Sequence, residues 1–258
     1  MKYIGVRGHR GSGKQTIAYL LANTLEYLIQ KKDLTVFKEK FSEWCQYIID
    51  DSEIIQNTDC DHVIMEGFGD NPKILVYMLT GIPLDYMRND FYKDNITINL
   101  KTFEHKSIDE NFSPNLVTAK EYFEKLQFTT EPKPIAEDVW MTLREFIQYF
   151  GIYIMQNALG LNVWVKSMIS NQNYYDCLYQ DDFKGYKIYY DVKARTEINY
   201  IKDRGGVIVK VSRPGHKKTG GMDLLRGDNR YDYEITNCEN LTDAADQILD
   251  VAKKIIEL

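Results

Sequence analysis

The stretch YIGVRGHRGSGKQTIAYLLANTL, residues 3–25, constrains the fold more than any other part of the chain. KYIGV reads as a short buried strand, and Ile17, Leu20, Leu21, Leu25, Leu28 and Ile29 recur at the spacing of one helix face. Gly8, Gly11 and Gly13 stand between them, followed by Lys14, Gln15 and Thr16. Glycines at a strand-to-helix junction let several backbone N–H groups converge on one point. The helix beyond adds unpaired N–H groups and the positive end of its dipole, which together suit a phosphate chain.

In this reading Gly8, Gly11, Ser12, Gly13 and Gln15 line the loop, and Lys14 brings a mobile charge to the outer phosphates. The Thr16 hydroxyl is placed to hold Mg²⁺. The form is GxxGxGKxT. It departs from the strict Walker pattern because Gln15 follows the lysine and the threonine comes one position later.

Strand and helix patterns then alternate. DLTVFKEKF reads as a second strand and turn, and PKILVYMLTGIPLDYM as a helix broken at Gly81 and Pro83. TLREFIQYFGIYIMQNAL and NVWVKSMIS read as helices, and YKIYYDV as a strand ending on an aspartate. TEINYIKDRGG reads as a short helix with glycines at its end, VIVKVS and YEITN as strands, and LTDAADQILDVAKKIIEL as an amphipathic helix. The alternation predicts an α/β fold with a parallel sheet covered on both faces. Residues 42–135 are less regular and are taken as an inserted substrate-binding region, within a single domain spanning 1–258.

The net charge of −6 argues against a sequence-independent nucleic-acid binder, which needs many cationic contacts. No apolar run reaches the ~18–20 residues of a membrane span, and the opening MKYIGVRG does not read as a signal peptide. Neither nucleic acid nor membrane is therefore expected as a partner, and the expected location is the cytoplasm. The four cysteines are scattered, with no CxxC pair, and read as reduced thiols; Cys60 and His62 lack the second pair a zinc site needs.

A phosphate-transfer site also needs a metal-holding acid and cations. Asp191, at the end of YKIYYDV, is taken as that acid, with capping of the next helix as the alternative; Lys193 and Arg195 follow at once. Arg144 lies four residues before Gln148 on a predicted helix, so the two share a face. Arg144 is read as a phosphate grip or as a surface ion pair with Glu145 or a neighbour, and Gln148 as a reader of a base edge. Arg213 in VSRPG is read as flanking a nucleotide base or as part of a plain Pro-Gly turn. Residues 214–230 are read as a lid over the phosphates or a solvated loop, and Trp44 as a ring that stacks an acceptor base or belongs to the core.

With these residues assembled, the chain resembles the deoxynucleoside monophosphate kinases of bacteriophages, relatives of adenylate kinase among the P-loop kinases. The matching stretches are GHRGSGKQT, LREFIQYFGIYIMQNALGLNVWVK, YYDVKARTEINYIKDRGGVIVKVSRPG and YEITNCENLTDAADQI, with a looser match through KFSEW and GDNPKI. The resemblance implies a three-layer α/β/α P-loop kinase with an inserted monophosphate-binding subdomain, transferring the ATP γ-phosphoryl to a dNMP with Mg²⁺. It assigns Lys14 as the loop lysine, Asp191 as the strand-end aspartate, Arg144 and Gln148 as the pair of the central helix, and Trp164 as the tryptophan beyond it. Where those enzymes read Asp-x-Arg, this chain has Lys193, so the acceptor phosphate is assigned to Lys193 or to Arg195.

The expected activity is therefore a cytosolic kinase acting on small molecules, ATP and a dNMP, with a homodimer left open. A related kinase with another phosphorylated acceptor, and a nucleotide-binding switch, are the alternatives.

Overall fold

The computed structural model describes residues 1–50, 60–109, 111–127, 138–160, 162–170, 185–215, 230–237 and 240–258. Along the chain run β1 (Lys2–Gly8), α1 (Lys14–Ile29), a 3-10 turn (Leu34–Val36), α2 (Phe37–Asp50) and β2 (Val63–Glu66). Then come α3 (Asp70–Thr80), α4 (Leu84–Arg88), α5 (Asp90–Asn95), β3 (Ile96–Asn99), β4 (His105–Ser107), α6 (Ala119–Gln127) and β5 (Trp140–Thr142). Next are α7 (Leu143–Gln148), a π-helical stretch (Tyr149–Ile154), α8 (Met155–Leu159) and α9 (residues 163–170). The chain closes with β6 (Tyr186–Val192), α10 (Arg195–Lys202), β7 (Val207–Ser212), β8 (Tyr233–Thr236), a 3-10 turn (Leu241–Ala244) and α11 (Ala245–Glu257).

These elements form two compact units, Met1–Phe68 with Ile169–Leu258, and Gly69–Met168. The insertion expected over 42–135 shares residues 69–135 with the second unit; α2 belongs to the first.

In the first unit five strands form a parallel sheet in the order β2-β6-β1-β7-β8, with β1 at its centre. Successive side chains of a strand point to opposite faces. Ile4 and Val6 of β1 and Ile188 and Tyr190 of β6 therefore face one way, into a core completed by Leu20 and Leu21 of α1 and Ile248 and Val251 of α11. Tyr3 and Tyr189 face the other way, where they meet Tyr200 of α10 and Phe68. The result is the α/β/α layering expected. No helix among the described residues is long and apolar enough to cross a membrane.

One expected strand is a helix. In DLTVFKEKF, expected as a strand and turn, Asp33 accepts the Thr35 N–H at 2.9 Å and starts a 3-10 turn that leads directly into α2. Phe37, Phe41 and Cys45 are each four residues apart, and all three are buried against α1 in the first core. The helical spacing outweighed the short alternating run.

The second unit has its own core, in which Ile98, Met141, Leu143 and Phe146 are fully buried. A small antiparallel sheet, β4-β3-β5, lies within it. The expected helix break at Gly81 and Pro83 separates α3 from α4, and Gly81 ends α3 in the left-handed region (φ 71°). The helix read over TLREFIQYFGIYIMQNAL is continuous but widens into the π-helical stretch, where the Gly151 carbonyl accepts the Trp164 indole N–H at 2.8 Å.

Candidate active site

The loop after β1 is shaped by backbone geometry. Gly11 and Gly13 hold φ of 78° and 76°, which side-chain-bearing residues rarely adopt. The Ser12 N–H closes a turn on the His9 carbonyl at 3.1 Å. Gly13 is the N-cap of α1, with no side-chain cap and no acidic residue in the first turn. The bond from Ile17 N–H to Gly13 O, at 2.9 Å, begins the helical ladder. The N–H groups of Lys14, Gln15 and Thr16 precede that ladder, so they lack intrahelical acceptors. No carboxylate in that turn offsets the positive end of the dipole, as anion binding requires.

Asp191 reaches the same edge of the sheet. β6 lies beside β1, and Arg7 pairs in register with Val192 after a bulge, so Asp191 sits at the carboxyl end of its strand, next to the start of the loop. Its side chain is buried, and its Oδ2 lies 3.4 Å from the Lys193 Nζ. Lys193 and Arg195 are exposed. The structure thus brings Gly8, the loop, Asp191, Lys193 and Arg195 to one edge of one sheet. Arg213 comes to the same edge, exposed just beyond β7, the other neighbour of β1.

Two residues at this edge have no role in the reading from sequence. Glu197 accepts the N–H groups of Lys193 and Ala194 at 2.6 and 2.9 Å and so braces the turn after Asp191. Burial, reinforced by the charge of Asp191, pushes its carboxyl up to about 7. The signal available in sequence was an acid at the third position of α10, half of a capping box. Asn237, directly after β8, is buried and donates through Nδ2 to the Ser12 carbonyl at 2.8 Å. No local pattern marks that bond, which spans 225 positions.

Trp44 stands apart from this edge. Its ring packs edge-to-face on Tyr27, Phe37 and Phe41. Tyr27 lies 13 residues beyond Lys14 on α1, about 20 Å along the helix axis. The lid expected over 214–230 lies, from 216 to 229, outside the described residues. No cluster of three or more His, Cys, Asp or Glu suited to a metal occurs among the described residues. His62 is bonded instead to Glu26, at 2.8 Å from Nδ1, and burial pushes the Cys45 thiol up to about 11.

Arg144 belongs to the second unit, where α7 carries it with its side chain largely covered. Asp94 grips it with both oxygens, at 2.5 Å to Nε and 2.9 Å to Nη2, and Asp90 adds a bond to Nη2 at 3.0 Å. Lys93 Nζ meets the same Asp90 oxygen at 2.6 Å. Burial alone would raise the Asp90 carboxyl; Lys93 and Arg144 outweigh it and hold it down at about 2. Burial lowers Lys93, against the pull of Asp90, with Arg144 and Lys73 adding like charge. The alternative reading of Arg144, an ion pair with Glu145 or a neighbour, is met by Asp90 and Asp94 and not by Glu145, which accepts the Ala119 N–H at 2.8 Å. Gln148 sits one turn beyond Arg144, partly buried.

Residues 2–223 match the family model described as deoxynucleotide monophosphate kinase. A protein of Acanthamoeba polyphaga mimivirus, which carries the provisional name of deoxynucleotide monophosphate kinase, is 27% identical over 166 residues, covering 55% of this chain and 81% of its own length.

Proposed function

Given that the chain belongs to the deoxynucleotide monophosphate kinase family, a family of phosphotransferases, we propose how its residues divide the reaction between donor and acceptor. The family does not favour the other acceptors, or the nucleotide switch, weighed from sequence. The donor is ATP, with its phosphates in residues 8–16 and its base flanked by Arg213. The observation that carries this is the loop itself: two left-handed glycines leading into a helix N-terminus with neither a side-chain cap nor a first-turn acid.

The donor set also fits Mg²⁺. A hard cation that keeps waters and phosphate oxygens needs only one or two protein oxygens, which Thr16 and Asp191 would supply. Bound there, the ion would neutralise charge on the phosphate oxygens. Lys14 neutralises charge on the phosphoryl being moved, and the first-turn N–H groups of α1 orient the chain that carries it. The acceptor is a deoxynucleoside 5′-monophosphate whose own phosphate oxygen attacks. A phosphate monoester is largely ionised at neutral pH, so no strong general base is required. What remains for the protein is positioning and charge neutralisation. Lys193 or Arg195 grips the acceptor phosphate; Arg144 and Gln148 keep the roles read from sequence, a phosphate grip and a reader of a base edge.

The test is ADP release from Mg·ATP against dAMP, dGMP, dCMP, dTMP and their ribonucleotide counterparts. Turnover that appears only with particular dNMPs is expected. ADP release independent of any acceptor would overturn the assignment of donor and acceptor.

A further inference from the structure

We infer that Asn237 is a positioning residue for the donor phosphates, one that sets the orientation of the Ser12–Gly13 peptide. The inference rests on the reading of residues 8–16 as the donor site. Asn237 is pinned at both ends. Its backbone N–H donates to the Ser212 carbonyl at 2.7 Å, at the end of β7, and its side-chain Nδ2 donates to the Ser12 carbonyl at 2.8 Å. One buried residue thereby ties the ends of β7 and β8 to the loop that leaves β1.

The peptide bond transmits that tie. In a trans peptide the C=O and the following N–H point in opposite directions in one plane. Drawing the Ser12 carbonyl toward Asn237 therefore turns the Gly13 N–H to the other side of the plane. The approach is close enough to require glycine: a Cβ on Gly13 would lie 2.2 Å from the amide nitrogen. Gly13 already sits at φ 76°, so the amide and the left-handed backbone define one conformation between them.

Packing is a poor explanation for the amide. Among the described residues, the buried Asn237 Oδ1 has no hydrogen-bond partner, and neither does the buried Ser12 Oγ. A buried acceptor without a donor is destabilising, and an apolar side chain of the same size would avoid that cost. What an apolar side chain lacks is a donor for the Ser12 carbonyl. The bond to the loop is therefore the reason for an asparagine here.

The experiment compares wild type with Asn237→Leu and Asn237→Asp, which remove the donor with opposite chemistry, one apolar and one charged. The readouts are the Kd for Mg·ATP by calorimetry, the KM for Mg·ATP, the KM for a dNMP acceptor, and the melting temperature. Both variants are expected to raise Kd and KM for Mg·ATP by about tenfold, the effect of one lost hydrogen bond, and to leave the acceptor KM within about twofold. If Asn237→Leu does not fold, Asn237→Ala takes its place. Unchanged Mg·ATP binding in the apolar variant overturns the inference, even if the aspartate weakens it, because the effect would then be one of charge. A parallel rise in both KM values with a lower melting temperature overturns it too, as the signature of general destabilisation. A wild-type protein that does not bind Mg·ATP would sink the donor-site reading along with the inference; normal wild-type binding with unaffected variants sinks the inference alone.

Discussion

The glycine loop of the first unit and the Arg144 cluster of the second are held by different means. The loop takes most of its shape from neighbours in sequence: Gly11 and Gly13 in the left-handed region, a turn from Ser12 to His9, and the first turn of α1, with one distant tie, from the Asn237 amide to the Ser12 carbonyl. The cluster is an agreement among distant side chains, since Asp90 and Asp94 lie 54 and 50 positions from the arginine they hold. Most of the loop's geometry is therefore in place whenever the strand and helix are, whereas the geometry of the cluster depends on each ion-pair partner. Substitutions should therefore act differently in the two.

The largest effect is expected at Lys14. Lys14→Ala should lower kcat by about 10²–10³-fold, as loss of a charge-stabilising group does, with little change in melting temperature because the loop's shape does not depend on that side chain. Turnover near that of wild type would break the assignment of the loop as the donor site.

A smaller effect, and a different kinetic signature, is expected from the cluster. Arg144→Ala leaves Asp90 and Asp94 without their shared cation. It should raise the KM for the dNMP about tenfold or more and leave the KM for Mg·ATP within about twofold. Asp94→Asn, which loosens the grip without removing the cation, should move the same parameter by less. If either variant changed the donor KM instead, the contrast between the units would fail.

The smallest effect concerns the end of the first unit remote from the loop. The hydrogen bond to Glu26 raises His62 above its usual value of 6.5. Burial would raise Glu26, but its bonds from His62 hold it below its usual 4.5. The His62 contribution is full below 6.5 and lost as pH rises through the raised value; that of Glu26 is present above 4.5 and lost as pH falls through the lowered one. Their pairing thus contributes most between about 4.5 and 6.5. Glu26→Gln should depress the melting temperature more at pH 6 than at pH 9, with both KM values unchanged at either pH. An equal depression at both would show that the ion pair contributes nothing beyond hydrogen bonding.

The conformation of GHRGSGKQT was legible because glycine turns and a helix start are local properties of adjacent residues. The βαβ alternation and the strand-end position of Asp191 were legible for the same reason, since periods of 2 and 3.6 report which face is buried. Those periods misled at DLTVFKEKF, where the four alternating residues of DLTV stand just before the four-residue spacing of Phe37, Phe41 and Cys45. They were silent on β3, β4 and β5, strands of three or four residues that are too short for a period to register.

By itself, then, the sequence determined the glycine turn between β1 and α1, the parallel α/β architecture and the strand-end place of Asp191. Only the tertiary structure decided that Arg144 answers to Asp90 and Asp94, that Trp44 packs at the far end of α1, and that Asn237 holds the Ser12 carbonyl. A conformational preference belongs to a few consecutive residues, whereas a hydrogen bond between distant ones exists only after the chain has folded and brought them together.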